Sequence, residues 1–430
     1  MIPRYSRPEM AELWSAETRL ATWVRIEVLA AEAMAGLGIV PAAALEDIRR
    51  APVPTQQEVS AWEQVRDHEV LSFLAAFCER LPAASARWVH LGMTSYDVVD
   101  TALGHTLARA TDLLTGAAGE LGQALTDLAV AHWDTVCIGR THGMHAEPTT
   151  FGHKLAGFAF AIRRSVERLA AAREAVAVGT ISGAVGTYAL VDPAVERHVC
   201  AALGLGIEPA PSQIVARDRH AQLIQAVALL GACVEQLGLE LRLLQRTEVA
   251  EVEESRSVAY QGSSAMPHKR NPTKTERLCG LARVLRGYAT TALEDVAVWH
   301  ERDLAHQSVE RIVLPDALTL AHYQVTLATD VVRTLTVRPE RMRAAVGHTR
   351  GLASSSAVLA ELLRSGMERE QAYRAVQRAS DLAAETGGTL RDAFDATVDP
   401  EAWEPEWYLR NHHAVLDRLK ELDASSDAAR

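Results

Sequence analysis

Leu223, Val227, Leu230, Val234, Leu237, Leu241 and Leu244 follow one another at alternating steps of four and three residues. That is a heptad seam held over three repeats, and such a seam is covered only by another helix. It predicts one helix from about Arg219 to Glu253, on the order of 50 Å long at 1.5 Å per residue. Similar stripes run through Leu107, Leu114, Leu121 and Leu128, through Leu155, Phe158, Ile162, Val166 and Leu169, and through Leu318, Ala321, Val325, Ala328, Val332 and Leu335. Each needs a partner helix. Proline is costly inside a helix and tolerated at its first turn or beyond its end, so proline-free stretches mark long helices. None occurs between Pro82 and Pro148, Pro148 and Pro193, Pro211 and Pro267, Pro272 and Pro315, or Pro315 and Pro339. Five such gaps predict a helical bundle. Gly231 and Gly238, one heptad apart on the seam helix, predict close packing against helices of other subunits as well as within the chain, hence a homo-oligomer. The stretch Val178 to Val191, with Gly179, Gly183 and Gly186 among β-branched residues, predicts the one short hairpin. Gly36-Leu37-Gly38-Ile39 and Gly204-Leu205-Gly206-Ile207 read as two helix ends rather than a repeat.

Composition supports helix over sheet. Of 430 residues 48% are apolar and only 5% aromatic, with Ala and Leu dominating the apolar set. This is chain enough for roughly three domains. A net charge of −11 repels a polyanion and argues against nucleic acid as a partner, while a local basic pocket can still hold a small anion. Four lysines, Lys154, Lys269, Lys274 and Lys420, stand against forty arginines, so a lysine marks a place where arginine was no substitute. The five cysteines are far apart and lack any Cys-x-x-Cys spacing, which suggests a reducing cytoplasm and neither a disulfide framework nor a zinc site. No stretch approaches the ~18 apolar residues of a membrane span. Arg4, Arg7, Glu9 and Glu12 interrupt the start of the chain where a signal peptide would carry its apolar run.

The segment Gly262-Ser263-Ser264-Ala265-Met266-Pro267-His268-Lys269-Arg270-Asn271-Pro272 interrupts two helical stretches and must be a loop. It gathers two hydroxyls, a His, a Lys, an Arg and an amide, all donors toward an anion. A solvated basic loop is the plain alternative. The eleven residues, however, resemble the signature of the fumarase and aspartase superfamily, whose members release fumarate from succinyl compounds. Gly139 to Pro148 (Gly-Arg-Thr-His-Gly-Met-His-Ala-Glu-Pro) and Trp88 to Asp97 (Trp-Val-His-Leu-Gly-Met-Thr-Ser-Tyr-Asp) are similar to blocks of the adenylosuccinate lyases. Arg4-Tyr5-Ser6, Ser182 to Gly186, Arg217 to His220 and Trp299 to Asp303 agree, so the likeness covers nearly the whole chain.

The resemblance implies an all-α fold of three helical domains, here 1–93, 94–341 with the signature loop 262–272, and 342–430, assembled as a homotetramer whose pockets draw on three chains. It implies an anti β-elimination. Taking a proton from the carbon beside a carboxylate places two negative charges on one small group, which calls for convergent cationic and amide donors. Lys269 and Asn271 supply them, with loop amides and the hydroxyls of Thr94 and Ser95. His142 is the candidate acid for the leaving nitrogen, since an imidazole near pKa ~6.5 delivers a proton at neutral pH; a structural turn histidine is the alternative. The resemblance gives the base role to Ser263 and has Glu276 orient the histidine. His68 and His90 would hold carboxylate or phosphate oxygens; Ser264 and Met266 line the same loop, and Arg4, Tyr5, Arg277, Arg302 and Arg311 are retained phosphate candidates. His142 and His145 lack a third ligand of compelling spacing, so no metal is expected. No nucleotide-cofactor fingerprint occurs.

Several positions depart from the adenylosuccinate lyase pattern. Arg-His-Asp is replaced by Asp67-His68-Glu69, a glutamine before Arg217 by Ala216, a serine five residues after Arg302 by Gln307, and Ser-Gln-Arg by Ser355-Ser356-Ala357. An acid gained beside a phosphate is costly when desolvated. Two leaving groups therefore stay open: the nucleotide, or another succinylated amine or hydrazine. A lactonising enzyme and a non-enzymatic structural protein are further alternatives, opposed by the block at Thr141 to Pro148 and by the intact loop.

Overall fold

The computed structural model describes residues 2–256, 263–394 and 398–427. The protein is helical, with six short strands among the described residues: β1 (Val136–Thr141), β2 (Met144–Thr150), β3 (Val178–Gly179), β4 (Gly206–Ile207), β5 (Val252–Glu253) and β6 (Thr336–Val337). The long helices are Ser95–Ala131, Phe151–Val176, Asp218–Leu244, Thr273–Glu294 and Ala305–Arg333. All seven residues of the heptad seam are buried, none more than 2% exposed. No helix among the described residues is long and apolar enough to cross a membrane. The chain divides into two compact units.

The first unit comprises Met1–Ala118, Ser165–Ala232 and Gly280–Thr326. Ser15 starts its helix Ala16–Gly36 by accepting the Thr18 N–H at 3.1 Å. Leu20, Trp23, Ile26, Ala30 and Met34 form the buried face of that helix and pack with Phe73 and Phe77 of helix Glu69–Cys78. Trp23 meets Phe73 edge-on at 5.3 Å. Thr101 ties the long helix to β3 by donating to the Thr180 carbonyl at 2.9 Å and accepting its N–H at 3.0 Å. Gly92 has φ +73° and faces the Leu190 carbonyl, which a Cβ would approach to 2.4 Å, so the turn before Thr94 needs glycine.

The second unit comprises Gly119–Arg164, Cys233–Cys279 and Leu327–Arg430. It holds the antiparallel hairpin β1–β2 and the antiparallel bridge β5–β6. Ile138 of β1 packs with Ala345 and Ala353. Helices Ser355–Arg364 and Arg369–Thr386 share a core built from Ala357, Val358, Leu362, Ala372, Val376 and Leu390.

Three expectations from the pattern are corrected. The hairpin is at 136–150, whereas β3 pairs in parallel with β4 and the stretch after Gly179 forms no hairpin. The seam helix stops at Leu244 instead of Glu253, because the next two seam positions are Glu248 and Glu251, which offer no apolar surface to bury. Pro315 lies inside helix Ala305–Arg333 rather than between two helices, and the stretch before it contains a break at 295–304. The within-chain packing expected of Gly231 and Gly238 is present: both face helix Thr273–Glu294, where a Cβ would lie 2.6 Å from Leu285 Cδ1 and 3.2 Å from the Thr275 carbonyl respectively.

Candidate active site

In the second unit, β1 and β2 are joined by His142-Gly143, with Thr141 paired to Met144. His142 (φ 55°) and Gly143 (φ +79°) both have positive φ, the requirement of a two-residue type I′ turn. His142 is therefore exposed at the tip of a hairpin whose base is buried. Ala146 and Glu147 oppose Gly139, a bulge that re-aims the tip. The imidazole of His145 is pushed below its ordinary pKa by burial, and the charges of Arg140 and His348 add to this.

Gly262 lies outside the described residues. Ser263 Oγ accepts the N–H of Met266 at 3.0 Å and of Ala265 at 3.3 Å, and the Lys269 N–H closes the next turn on the Met266 carbonyl at 3.0 Å. Ser264, Met266 and Lys269 are exposed, while Asn271 and Arg277 are half-buried. Glu276 is exposed on the first turn of helix Thr273–Glu294. Five candidate catalytic residues thus share one unit, on a hairpin tip and on a loop running into a helix. Among the described residues no hydrogen bond joins His142 to Glu276 within the chain.

The first unit carries eight of the substrate-binding candidates. His90, held at φ 61°, places Nδ1 2.6 Å from Glu27 Oε1, and its N–H donates to Glu27 Oε2 at 2.8 Å. Burial pushes this imidazolium down, but the hydrogen bond and charge of Glu27, with Asp97 adding, hold the pKa above its ordinary value. Asp97 is fully buried and accepts N–H groups from Thr94 (2.8 Å), Ser182 (2.9 Å) and Gly183 (3.2 Å), which fixes the Thr94-Ser95 turn against the Ser182-Gly183 loop. Its carboxyl is pushed up to about 6 by burial despite those donors. Arg4 is exposed on the turn Pro3–Tyr5, and the Tyr5 ring lies 5.4 Å from that of Tyr323. His68 is exposed and caps helix Glu69–Cys78, its Nδ1 accepting the Leu71 N–H at 3.3 Å.

A cavity of about 350 Å³ opens in this unit, lined by Trp14, Trp23, Tyr96, Glu69, Gln307 and Arg311 among others. Glu69 is bonded by both Arg19 and Arg311. Behind Tyr96, buried Arg217 grips Asp100 with two bonds of 2.6 and 2.9 Å, and Glu310 accepts from His220 and pairs with His306, each at 3.0 Å. Burial alone would raise the Glu310 carboxyl; the two imidazoles and the Arg217 charge hold it well below the usual carboxylate range.

The lyase family matches residues 4–287. Adenylosuccinate lyase of Synechocystis sp. is 44% identical over 97% of this chain and 100% of its own length, and that of Bacillus subtilis 42% identical over 97% and 99%. A solved fumarate lyase from Mesorhizobium sp. BNC1 superposes with a TM-score of 0.88 at 27% identity, over 97% of this chain and 99% of that one. The chain belongs to the adenylosuccinate lyase family. It is a carbon–nitrogen lyase of the fumarase and aspartase superfamily.

Where the sequence departs from the adenylosuccinate lyase pattern, the new residues have local partners. Asp67 ends helix Gln56–Arg66 in the left-handed region (φ 50°, ψ 36°), a conformation that Asp tolerates better than most side chains. Gln307 Oε1 accepts from Arg302 at 3.4 Å. The Ala216 N–H points to Glu208 at 3.4 Å. Ala357 is fully buried, its N–H donating to the Tyr408 hydroxyl at 3.2 Å, and Ser356 donates to Glu147 at 2.6 Å. Glu27 and the acid partners of Arg217 were missed by sequence reasoning. A signal for Glu27 existed: it is the one carboxylate on the Leu20, Trp23, Ala30, Met34 face, and a charge is kept on a core face only when something pairs with it.

Proposed function

We propose that the protein cleaves adenylosuccinate to AMP and fumarate, and its ribotide counterpart SAICAR to AICAR and fumarate. Ser263, as alkoxide, takes the proton from the carbon beside a substrate carboxylate. The electron pair passes into that carboxylate, then returns to form the carbon–carbon double bond as the carbon–nitrogen bond breaks, and His142 protonates the departing nitrogen. Lys269 and Asn271 stabilise the doubly charged intermediate. A serine hydroxyl is a weak acid, so the base role needs donors at Oγ. The two backbone N–H groups already directed at Ser263 Oγ favour the ionised oxygen. His90, Thr94 and Ser95 hold the succinyl carboxylates; Arg4, Tyr5, His68, Ser264, Met266, Arg277, Arg302 and Arg311 hold the rest of the anion. We place the enzyme in the cytoplasm as a homotetramer with shared pockets, for which light scattering at micromolar concentration is the check.

The observation that carries this reading is identity of 44% sustained over the full length of an adenylosuccinate lyase. Purified protein given adenylosuccinate is expected to lose the substrate's ultraviolet absorbance with one fumarate released per turnover. Ser263→Ala is expected to abolish turnover while leaving substrate affinity mostly intact; a near-parent kcat removes the base assignment. One observation favours a second reading, release of fumarate from a non-nucleotide succinyl amine or hydrazine: Arg311, a phosphate candidate, is bonded to Glu69. No turnover of adenylosuccinate by folded protein, with fumarate produced from another N-succinyl compound, would select it.

A further inference from the structure

Glu251, Glu253 and Glu254 are three carboxylates within four residues, and each reaches a different element of the second unit. Glu251 is 1% exposed and takes both ends of the Arg140 guanidinium, at 2.5 and 3.1 Å. Arg140 lies in β1, two residues before His142. Glu253 accepts from Arg270 at 2.9 Å and is bonded by Arg338. Arg270 follows Lys269 in the signature loop. Glu254 is 4% exposed and accepts the N–H of Lys274 at 3.1 Å, the N–H of Thr275 at 2.7 Å and the Thr275 hydroxyl at 2.6 Å. These are orphan donors at the start of helix Thr273–Glu294, so Glu254 caps the helix whose first turn carries Glu276.

The strip itself is pinned by its backbone. The Glu251 N–H donates to the Leu244 carbonyl at 2.9 Å, the Arg338 N–H donates to the Glu251 carbonyl at 3.0 Å, and the Glu254 N–H donates to Gln245 Oε1 at 3.0 Å. Val252 and Glu253 pair with Val337 and Thr336. Buried carboxylates are unfavourable unless fully paired, and removing the partner of one is strongly destabilising. Two of the three here are buried, and all three are engaged by groups on separate segments.

We propose that residues 251–254 form a positioning clasp that fixes the His142 hairpin, the Lys269 loop and the Glu276 helix in one register. Glu251 sets the hairpin through Arg140, Glu253 sets the loop through Arg270, and Glu254 sets the helix start. The inference rests on the roles proposed above for His142, Ser263 and Lys269. A misplacement of about 1 Å remote from the chemistry can lower a rate about a hundredfold, so these carboxylates act on kcat without touching substrate.

The test uses the full chain with Glu251→Gln, Glu251→Asp and Glu254→Gln, read by fumarate release and by amide hydrogen exchange. Glu251→Gln is expected to lower kcat by about tenfold or more with KM within about threefold, and to lose protection in the hairpin 136–150 but not at 273–277. Glu254→Gln is expected to reverse the exchange pattern, and Glu251→Asp to recover part of kcat. The clasp is overturned by an unchanged kcat in Glu251→Gln, by equal loss of protection at both segments, or by loss of cooperative melting in Glu251→Gln and Glu251→Asp alike. His142→Ala and Ser263→Ala run in parallel. Should those two retain turnover, the role assignments fail, and the clasp then stands or falls on whether Glu251→Gln still lowers kcat.

Discussion

The guanidinium of Arg302 lies over the ring of Tyr96, its central carbon 3.6 Å from the ring centroid. Nη1 of the same group donates to Gln213 at 2.9 Å and Nη2 points to Gln307 at 3.4 Å. One face and two edges of the cation are thus fixed before any ligand arrives. Lysine carries a point charge and cannot stack flat while reaching both glutamines. Arg302→Lys is expected to raise KM by about tenfold and leave kcat within about twofold, a loss of ~1–2 kcal/mol of binding. Steady-state kinetics on adenylosuccinate checks this; an unchanged KM would show that Arg302 does not bind substrate.

Gln307 spends its carbonyl oxygen on Arg302. A shorter serine cannot reach across the same gap, so Gln307→Ser releases one N–H of the cation toward an incoming anion. Charge-assisted bonds of this kind are the stronger ones, and the expected result is a KM for adenylosuccinate lower by about three- to tenfold. Product inhibition by AMP should tighten in parallel. A KM that rises instead would mean that Gln307 itself contacts the substrate.

Much of this arrangement was legible in the sequence, and the reasons for the rest are local. The seam Leu223 to Leu244 announced its helix because its seven apolar positions repeat at the helical period, and all seven are buried. The end of that helix was misplaced because no proline or glycine marks it; only the change from Leu to Glu at the seam does. The 136–150 hairpin was missed because its turn pair, His142-Gly143, was read for chemistry and not for its paired positive φ values. The candidate loop was found through its density of donors. The carboxylates proposed to position it, Glu251 and Glu254, were not, since a helix was expected to run through Glu251 and end at Glu253, and their partners Arg140 and Thr275 are distant in sequence.

Ala357 occupies a position where the resemblance expects arginine, and here it is fully buried among Val358, Leu362, Val376 and Leu390. Overpacking a core and burying an unpaired charge are both unfavourable, so Ala357→Arg is expected to lower stability by about 3–5 kcal/mol. Urea unfolding of the full chain reads this directly. If stability were unchanged, the side chain would have found a route to solvent and the tight packing around Ala357 would be wrong.

His90 and Glu27 give the protein a defined pH response. The imidazole is held above its ordinary pKa mainly by Glu27, against the opposing effect of burial, and Asp97 is the other charged group acting on it. In the window above the unfolded histidine value of about 6.5, the native state binds more protons than the unfolded chain, so stability falls as pH rises. The contribution is complete below pH ~6.5 and is lost as pH passes through the folded value. Asp97 also has a raised pKa, at about 6, so its own loss of stability with rising pH falls between its ordinary value and that point, on the acid side. Asp295, also raised to about 6, and His105, His132, His145 and His153, lowered by burial, titrate near the same window, so the His90 contribution is read as the difference between parent and Glu27→Gln in urea unfolding at pH 6 and pH 8. Glu27→Gln keeps an acceptor but removes the charge; it is expected to lower stability at pH 6 by about 1–3 kcal/mol and to shrink the difference between the two pH values. The His90 ring proton resonance should titrate at lower pH in that variant. If the resonance titrated at the same pH in both proteins, Glu27 would not be the group that sustains the imidazolium, and the proposed hold of His90 on a substrate carboxylate would lose its electrostatic basis.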